Sequence, residues 1–163
     1  MKTLLIFRHA KSSWKNSNLA DHDRPLNKRG KTTAPRMGEK LRQEDELPDL
    51  ILSSSAIRAS RSAELFAEAG GYDGEIFVRR DLYAHHPEAY ISVLNEVDDR
   101  YQRVMIVGHN PGLEELVELL TGDWERLPTA ALALIELPIQ YWSELDEDVE
   151  GELLLVWRPR EIF

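Results

Sequence analysis

Two histidines in this chain stand directly behind short apolar runs. One lies in Arg8-His9-Ala10-Lys11-Ser12-Ser13-Trp14, after residues 3–7; the other in Gly108-His109-Asn110-Pro111-Gly112, after residues 103–107. A third apolar run, residues 50–52, is followed by Ser53-Ser54-Ser55-Ala56-Ile57-Arg58-Ala59-Ser60-Arg61. Three strand exits would thus deliver two imidazoles, at least two guanidiniums and several hydroxyls to one edge of a sheet. That combination suits a tetrahedral oxyanion: the cations stabilise charge on the equatorial oxygens of a phosphoryl group, and one imidazole can attack phosphorus in line. A lone histidine at a strand end is more often a half-buried, hydrogen-bonded structural residue. Two of them, joined by Arg8 and Arg58, favour the chemical reading.

Composition narrows the chemistry further. The chain has no cysteine, which excludes a disulfide framework, a thiolate zinc site and a thiol nucleophile. A covalent catalyst must then be His, Ser, Thr, Asp, Glu or Lys. The five histidines, His9, His22, His85, His86 and His109, are the other metal ligands to weigh, but no H-E-x-x-H motif and no i, i+4 pair occurs, and two arginines beside the pair would repel a cation. No metal and no cofactor is expected.

The 163 residues carry 20 Lys plus Arg against 29 Asp plus Glu, a net charge of −9 that argues against nucleic-acid or anionic-membrane binding. The charge is unevenly placed. Residues 1–80 hold 15 basic and 11 acidic side chains, whereas 81–163 hold 5 and 18. Within residues 1–36 there are 9 basic and 2 acidic residues, net +7. A solvated basic face is the plain reading of such a run; a local anion site in an acidic body is the sharper one.

These residues need a frame to position them, and strand-length apolar runs alternate with helical periodicity along the chain. Strands are expected at residues 3–7, 50–52, 75–78, 103–107, 131–137 and 152–157. Helices are expected at 26–41, capped at Asn27 and with Pro35 kinking it or delaying its start; at 56–69, stopped by Gly70-Gly71; at 87–97, with Pro at its first turn; and at 113–120, stopped at Gly122. The alternation predicts an α/β fold, a three-layer αβα sandwich around a largely parallel central sheet, with the last two strands as an antiparallel C-terminal addition. In such sheets ligands collect beyond the carboxyl ends of the strands. The acidic stretch 144–152 reads as a solvated turn between those last strands rather than a calcium loop. Trp142 and Trp157 read as core or sheet-face aromatics of the late strands, Trp124 as partly exposed, and Trp14 either lines the pocket mouth or packs under the first loop. The length suits one domain, 1–163, able to bury roughly two-thirds of its unfolded surface. No signal-length or membrane-length apolar run occurs, so a cytoplasmic location is expected.

Arg8-His9-Ala10 resembles the Arg-His-Gly signature of the histidine phosphatase (phosphoglycerate mutase-like) superfamily, with Ala in place of Gly. Together with Asp23-Arg24-Pro25-Leu26-Asn27-Lys28-Arg29-Gly30 it looks most like the SixA-type phosphohistidine phosphatase branch. Residues 53–63 resemble the Ser-rich turn with Arg-Ala opening a helix, and residues 107–111 the second-histidine segment, so the resemblance covers nearly the whole chain in family order. It implies a phosphoglycerate mutase-like fold, His9 as the nucleophile that is transiently phosphorylated, Arg8 and Arg58 as ligands of the phosphoryl oxygens, and His109 as the second imidazole. Ser12 and Arg24 are further candidates for substrate contacts, Arg24 being alternatively held by Asp21 or Asp23; Arg61, three residues beyond Arg58 on the same helix, is a candidate for the pocket rim.

The pattern departs from many superfamily members in one place. Where a glutamate after the third strand would protonate an alcohol leaving group, this chain reads Arg80-Asp81-Leu82-Tyr83-Ala84-His85-His86-Pro87-Glu88, which leaves Asp81 or Glu88 as the possible general acid. A phosphoramidate with a protonated ring needs little help in leaving. Short connections also leave little chain for a lid, so the expected substrate is phosphohistidine on a protein, such as a phosphorelay protein. The alternatives are a small phosphorylated molecule, hydrolysed as a phosphomonoester, and a non-catalytic module that holds a phosphorylated partner.

Overall fold

The computed structural model describes residues 1–83 and 86–163; His85, one of the five histidines weighed as metal ligands, lies outside the described residues. Strands β1 (Lys2–Arg8), β2 (Leu50–Ser54), β3 (Ile76–Arg79), β4 (Arg103–Gly108), β5 (Leu132–Leu137) and β6 (Glu152–Trp157) form one sheet in the order β3-β2-β4-β1-β5-β6. The first four are mutually parallel where they pair, and β5 and β6 add antiparallel to β1 and to each other. Helices α1 (Lys28–Gln43), α2 (Ile57–Gly70), α3 (Pro87–Asn95) and α4 (Gly112–Thr121) cover the sheet, and a last short helix, α5 (Pro159–Ile162), ends the chain.

Because side chains alternate across a strand, each central strand feeds two cores. Leu5, Phe7, Met105 and Val107 pack with Ala34, Met37 and Leu41 of α1 and Ala59, Ala63 and Phe66 of α2. Leu4, Ile6, Val104 and Ile106 pack with Tyr90 and Leu94 of α3 and Leu113, Leu116 and Leu120 of α4. Strands buried on both faces read as continuous apolar runs, which is how β1 and β4 stand out in the sequence. The result is the expected αβα sandwich.

Local signals explain the boundaries. Asn27 caps α1 by accepting the Gly30 N–H at 2.8 Å. Gly71 and Gly122, at φ of 75° and 79°, stop α2 and α4 in the left-handed conformation that glycine adopts without strain. Pro35 does not delay α1: the helix starts at Lys28 and runs through it, held by the cap and by the burial of Ala34, Met37 and Leu41. Trp142 is a correction. It lies in no strand but in a helical turn, Trp142–Glu144, within the β5–β6 connection, where it is fully buried, its indole N–H donating to the Tyr101 carbonyl at 2.8 Å. Among the described residues no helix is long and apolar enough to cross a membrane.

Gly108, the last residue of β4, is needed for its size. A Cβ there would overlap the hydroxyl of fully buried Tyr90, the group that accepts the backbone N–H of His109 at 3.0 Å. Gly108→Ala should therefore destabilise the fold by about 1–3 kcal/mol in urea unfolding, as overpacked core positions do, and Tyr90→Phe in the same chain should recover part of the loss.

Candidate active site

Strand register builds the centre of the site. β1 and β4 pair so that Arg8 faces Gly108, and the next residues, His9 and His109, leave the sheet side by side. The His9 N–H donates to the Gly108 carbonyl at 3.2 Å, and the two rings lie 5.2 Å apart at 53°. Ser54, at the end of neighbouring β2, places its Oγ 2.7 Å from His109 Nε2. The Tyr83 ring meets His109 edge-on at 5.5 Å.

His9 is only 6% exposed. Its Nδ1 lies 2.8 Å from the Ala10 carbonyl, an atom that can only accept, so Nδ1 carries the proton and the lone pair is on Nε2. Its pKa is lowered to about 3, chiefly by burial; the Ala10 hydrogen bond opposes this, and Arg58, Arg8 and Arg24 add to it. The ring is therefore neutral at physiological pH, with its tautomer fixed.

The three arginines reach the site from different elements. Arg58, in the first turn of α2 and buried, donates to the Asp21 carbonyl at 2.7 Å and to Asp21 Oδ2 at 2.9 Å. Arg24 donates through Nε to Asp21 Oδ1 at 3.2 Å, and exposed Trp14 lies against its guanidinium, 3.4 Å from the ring centroid. Arg8 donates to the Leu127 carbonyl at 3.0 Å. Each keeps one buried N–H, at Arg8 Nε, Arg24 Nη1 and Arg58 Nε, without an acceptor among the described residues. Such groups cost about 1–3 kcal/mol each when unsatisfied, and an oxyanion would supply acceptors for them.

Asp21 ties this cluster together. Its carboxylate receives Arg24, Arg58 and the Tyr83 hydroxyl, and it is held well below the usual carboxylate range, by Tyr83 first and then by the arginines, against the opposing effect of burial. The segment that carries it is fixed to the rest of the chain by an isolated antiparallel bridge between Ser12 and Leu26 and by the Asn27 N–H donating to the Lys11 carbonyl at 3.0 Å. Gly30 allows this approach, since a Cβ on it would overlap the Lys11 carbonyl.

The structure thus gathers Arg8, His9, Arg24, Arg58 and His109, with Ser12 buried in the adjoining segment. Arg24 pairs with Asp21 rather than Asp23. Three other sequence candidates are engaged at the surface: Arg61 pairs with Glu64 at 2.9 Å, Asp81 pairs with Arg79 at 2.7 Å, and Glu88 lies 3.3 Å from His86 Nδ1. Sequence reasoning missed Ser54, Tyr83 and Tyr90, and it treated Asp21 only as a surface partner of Arg24. One signal for Asp21 was present: it is one of just two acidic residues in the +7 segment 1–36. Among the described residues no three His, Asp or Glu side chains gather as a metal site.

A family model for the histidine phosphatase superfamily (branch 1) matches residues 4–86, which include His9, Arg24 and Arg58. This chain belongs to the histidine phosphatase superfamily. Among similar proteins, a chloroplastic protein of Arabidopsis thaliana is 32% identical over 154 residues, 88% of this chain and 70% of the relative. A Mycobacterium tuberculosis protein is 29% identical over 150 residues, 85% and 91% of the two chains. Of solved histidine phosphatase structures, a candidate phosphohistidine phosphatase SixA of Agrobacterium tumefaciens is 27% identical with a TM-score of 0.82, covering 97% of this chain and 98% of its own. The protein histidine phosphatase SixA in complex with tungstate shares the fold, with a TM-score of 0.80 at 20% identity and 99% coverage of both chains.

The low pKa of His9 has a consequence for the stability of this histidine phosphatase. Unfolded, the ring titrates near its ordinary value of 6.5; folded, it titrates at about 3. Between those values the unfolded chain binds more protons, so the contribution of His9 to stability is lost as pH falls from about 6.5 towards 3. Urea unfolding across that window should show a shallower loss of stability for His9→Gln than for the unsubstituted chain. Equal slopes would mean that the ring is not held neutral by the fold.

Proposed function

We propose that residues 1–163 act as one phosphatase domain that works without a metal, through a phosphohistidine formed on His9, and that its substrate is phosphohistidine carried on a protein. The observation that carries this reading is the state of His9, a buried neutral imidazole with its lone pair on Nε2, set among three guanidiniums that each keep an N–H uncommitted among the described residues. Nε2 attacks phosphorus; the bond from phosphorus to the substrate's ring nitrogen breaks, and that imidazole departs with its proton. Arg8, Arg24 and Arg58 hold the charge that spreads over the equatorial oxygens. His109 stands beside the phosphorus as the second imidazole. Water then cleaves the phosphorus–Nε2 bond, releasing phosphate and restoring His9.

The carboxyl groups support a phosphoramidate rather than an ester. An ester needs an acid to protonate its alkoxide, whereas a protonated phosphohistidine ring leaves readily. Asp21, the carboxylate within the arginine cluster, is held ionised far below neutrality and cannot donate a proton. Asp81 is clamped by two nitrogens of Arg79, and Glu88 is exposed beside His86. Likeness to the SixA candidate of Agrobacterium tumefaciens points the same way.

Labelling with a 32P phosphodonor should give an acid-labile, alkali-stable phosphoenzyme that is absent from His9→Ala. A panel comparing a phosphohistidine protein with sugar phosphates should favour the former by about tenfold or more in kcat/KM, unchanged by EDTA. Faster turnover of sugar phosphates, abolished by joint replacement of Asp81 and Glu88, would instead identify a phosphomonoesterase. Asp21→Ala should lower kcat/KM by about 10- to 100-fold, the range expected when charged hydrogen bonds that orient binding groups are lost.

A further inference from the structure

Arg8 belongs to two places at once. Besides standing beside His9, it forms one wall of a cleft of about 470 Å³ whose other walls include Lys11, Arg29, Arg126, Arg158 and Arg160. A second cleft of about 770 Å³, between the start of α1 and the C-terminal segment, shares Arg29, Thr33, Pro159 and Arg160 with the first and continues to Lys28 and Arg36. Three of the five basic residues in 81–163 are thus spent on one groove. Arg158 is offset by Glu125 and Glu161, and Arg126 faces Glu161. Lys11, Lys28, Arg29 and Arg160 form no ion pair with the described residues, so the groove is strongly positive on a chain of net charge −9.

The layout of these cations indicates what they bind. Around His9 the guanidiniums converge, as one phosphoryl group requires. In the groove they are strung out: Arg29 and Arg36 stand at i and i+7 on one face of α1, with the uncharged Thr33 at i+4 between them, a run of about 10 Å at 1.5 Å per residue. An extended polypeptide covers that distance in about three residues. A sugar phosphate anchored at Arg8 would leave the far cations unused.

We propose that this groove receives the acidic flank of the protein substrate, an extended segment with two or three Asp or Glu residues next to the phosphohistidine presented to His9. This rests on the phosphohistidine reading above. The test uses free N-phosphohistidine, phosphohistidine peptides with three acidic flanking residues on one side or the other, and the same peptides with amide residues instead. One acidic peptide should exceed its amide counterpart in kcat/KM by about tenfold at low salt, and the advantage should shrink at high salt. Joint Arg29→Gln and Arg160→Gln replacement should remove the advantage while leaving turnover of free N-phosphohistidine unchanged. No preference in the unsubstituted chain, or equal loss on both substrates in the variant, would overturn the proposal. Fluorescence anisotropy of the unphosphorylated acidic peptide separates it from the catalytic reading: binding that needs Arg29 and Arg160, without turnover of any phosphoramidate, supports the groove and removes only the phosphatase assignment. A single-stranded oligonucleotide that binds more tightly than the peptide through the same residues would overturn it in favour of nucleic acid.

Discussion

The pairing of Arg8 with Gly108 sets two strands to end at the same level, and that alignment drives the two following histidines out of the sheet as neighbours. Their position at the end of the αβα core buries both rings, and burial is the larger part of what keeps His9 neutral. With its ordinary pKa near 6.5, a histidine at pH 7 is protonated in about a quarter of molecules, and a doubly charged phosphoryl group would raise that fraction. A pKa of about 3 leaves a margin for the approach of such an anion. In the proposed mechanism the guanidiniums that would bind the anion also oppose protonation of the ring, so one arrangement of charge would serve binding and nucleophilicity together.

Three guanidiniums beside a buried imidazole repel one another; Asp21 is the counter-charge for Arg24 and Arg58, and Glu114 acts as one on Arg8. Its carboxylate takes one N–H from Arg24 and one from Arg58, while its backbone carbonyl takes a second from Arg58. The compensation is partial, since Arg8, Arg24 and Arg58 each retain a buried N–H without an acceptor among the described residues. Full satisfaction would stabilise the fold and leave no donors for an oxyanion. The segment between β1 and α1 therefore does more than connect: anchored through Ser12, Leu26 and the close approach at Gly30, it delivers an acid and an arginine to the same place.

The frame was legible in the sequence because its signals are local. Apolar runs bounded by polar residues mark β1 and β4, Asn27 announces the start of α1, and Gly71 and Gly122 announce the ends of α2 and α4. Arg8, His9 and His109 stood out because they sit directly behind strands. What could not be read was tertiary. Asp21 meets Arg58 across 37 positions and Tyr83 across 62, so no window of sequence shows that an exposed-looking acid is the hub of an arginine cluster. Trp142 escaped for a related reason: an aromatic near an acidic stretch resembles a strand residue, but its indole N–H needed an acceptor in the core and found the Tyr101 carbonyl.

Charge distribution links the site to its surroundings. A net charge of −9 would by itself slow the approach of any anion, and at physiological ionic strength that repulsion fades beyond about 8 Å. Attraction by the groove fades over the same distance. An acidic segment bound as proposed would therefore feel Lys11, Arg29 and Arg160 only once it lies against α1. Recognition at that range rewards ligands that fill the groove and the phosphoryl centre together, and gives little to an anion that reaches only one of them. For the substrate proposed above, an acidic body with a basic furrow would in this sense be more selective than a basic protein, because its net charge repels polyanions at long range and its short-range contacts would be made in register with His9.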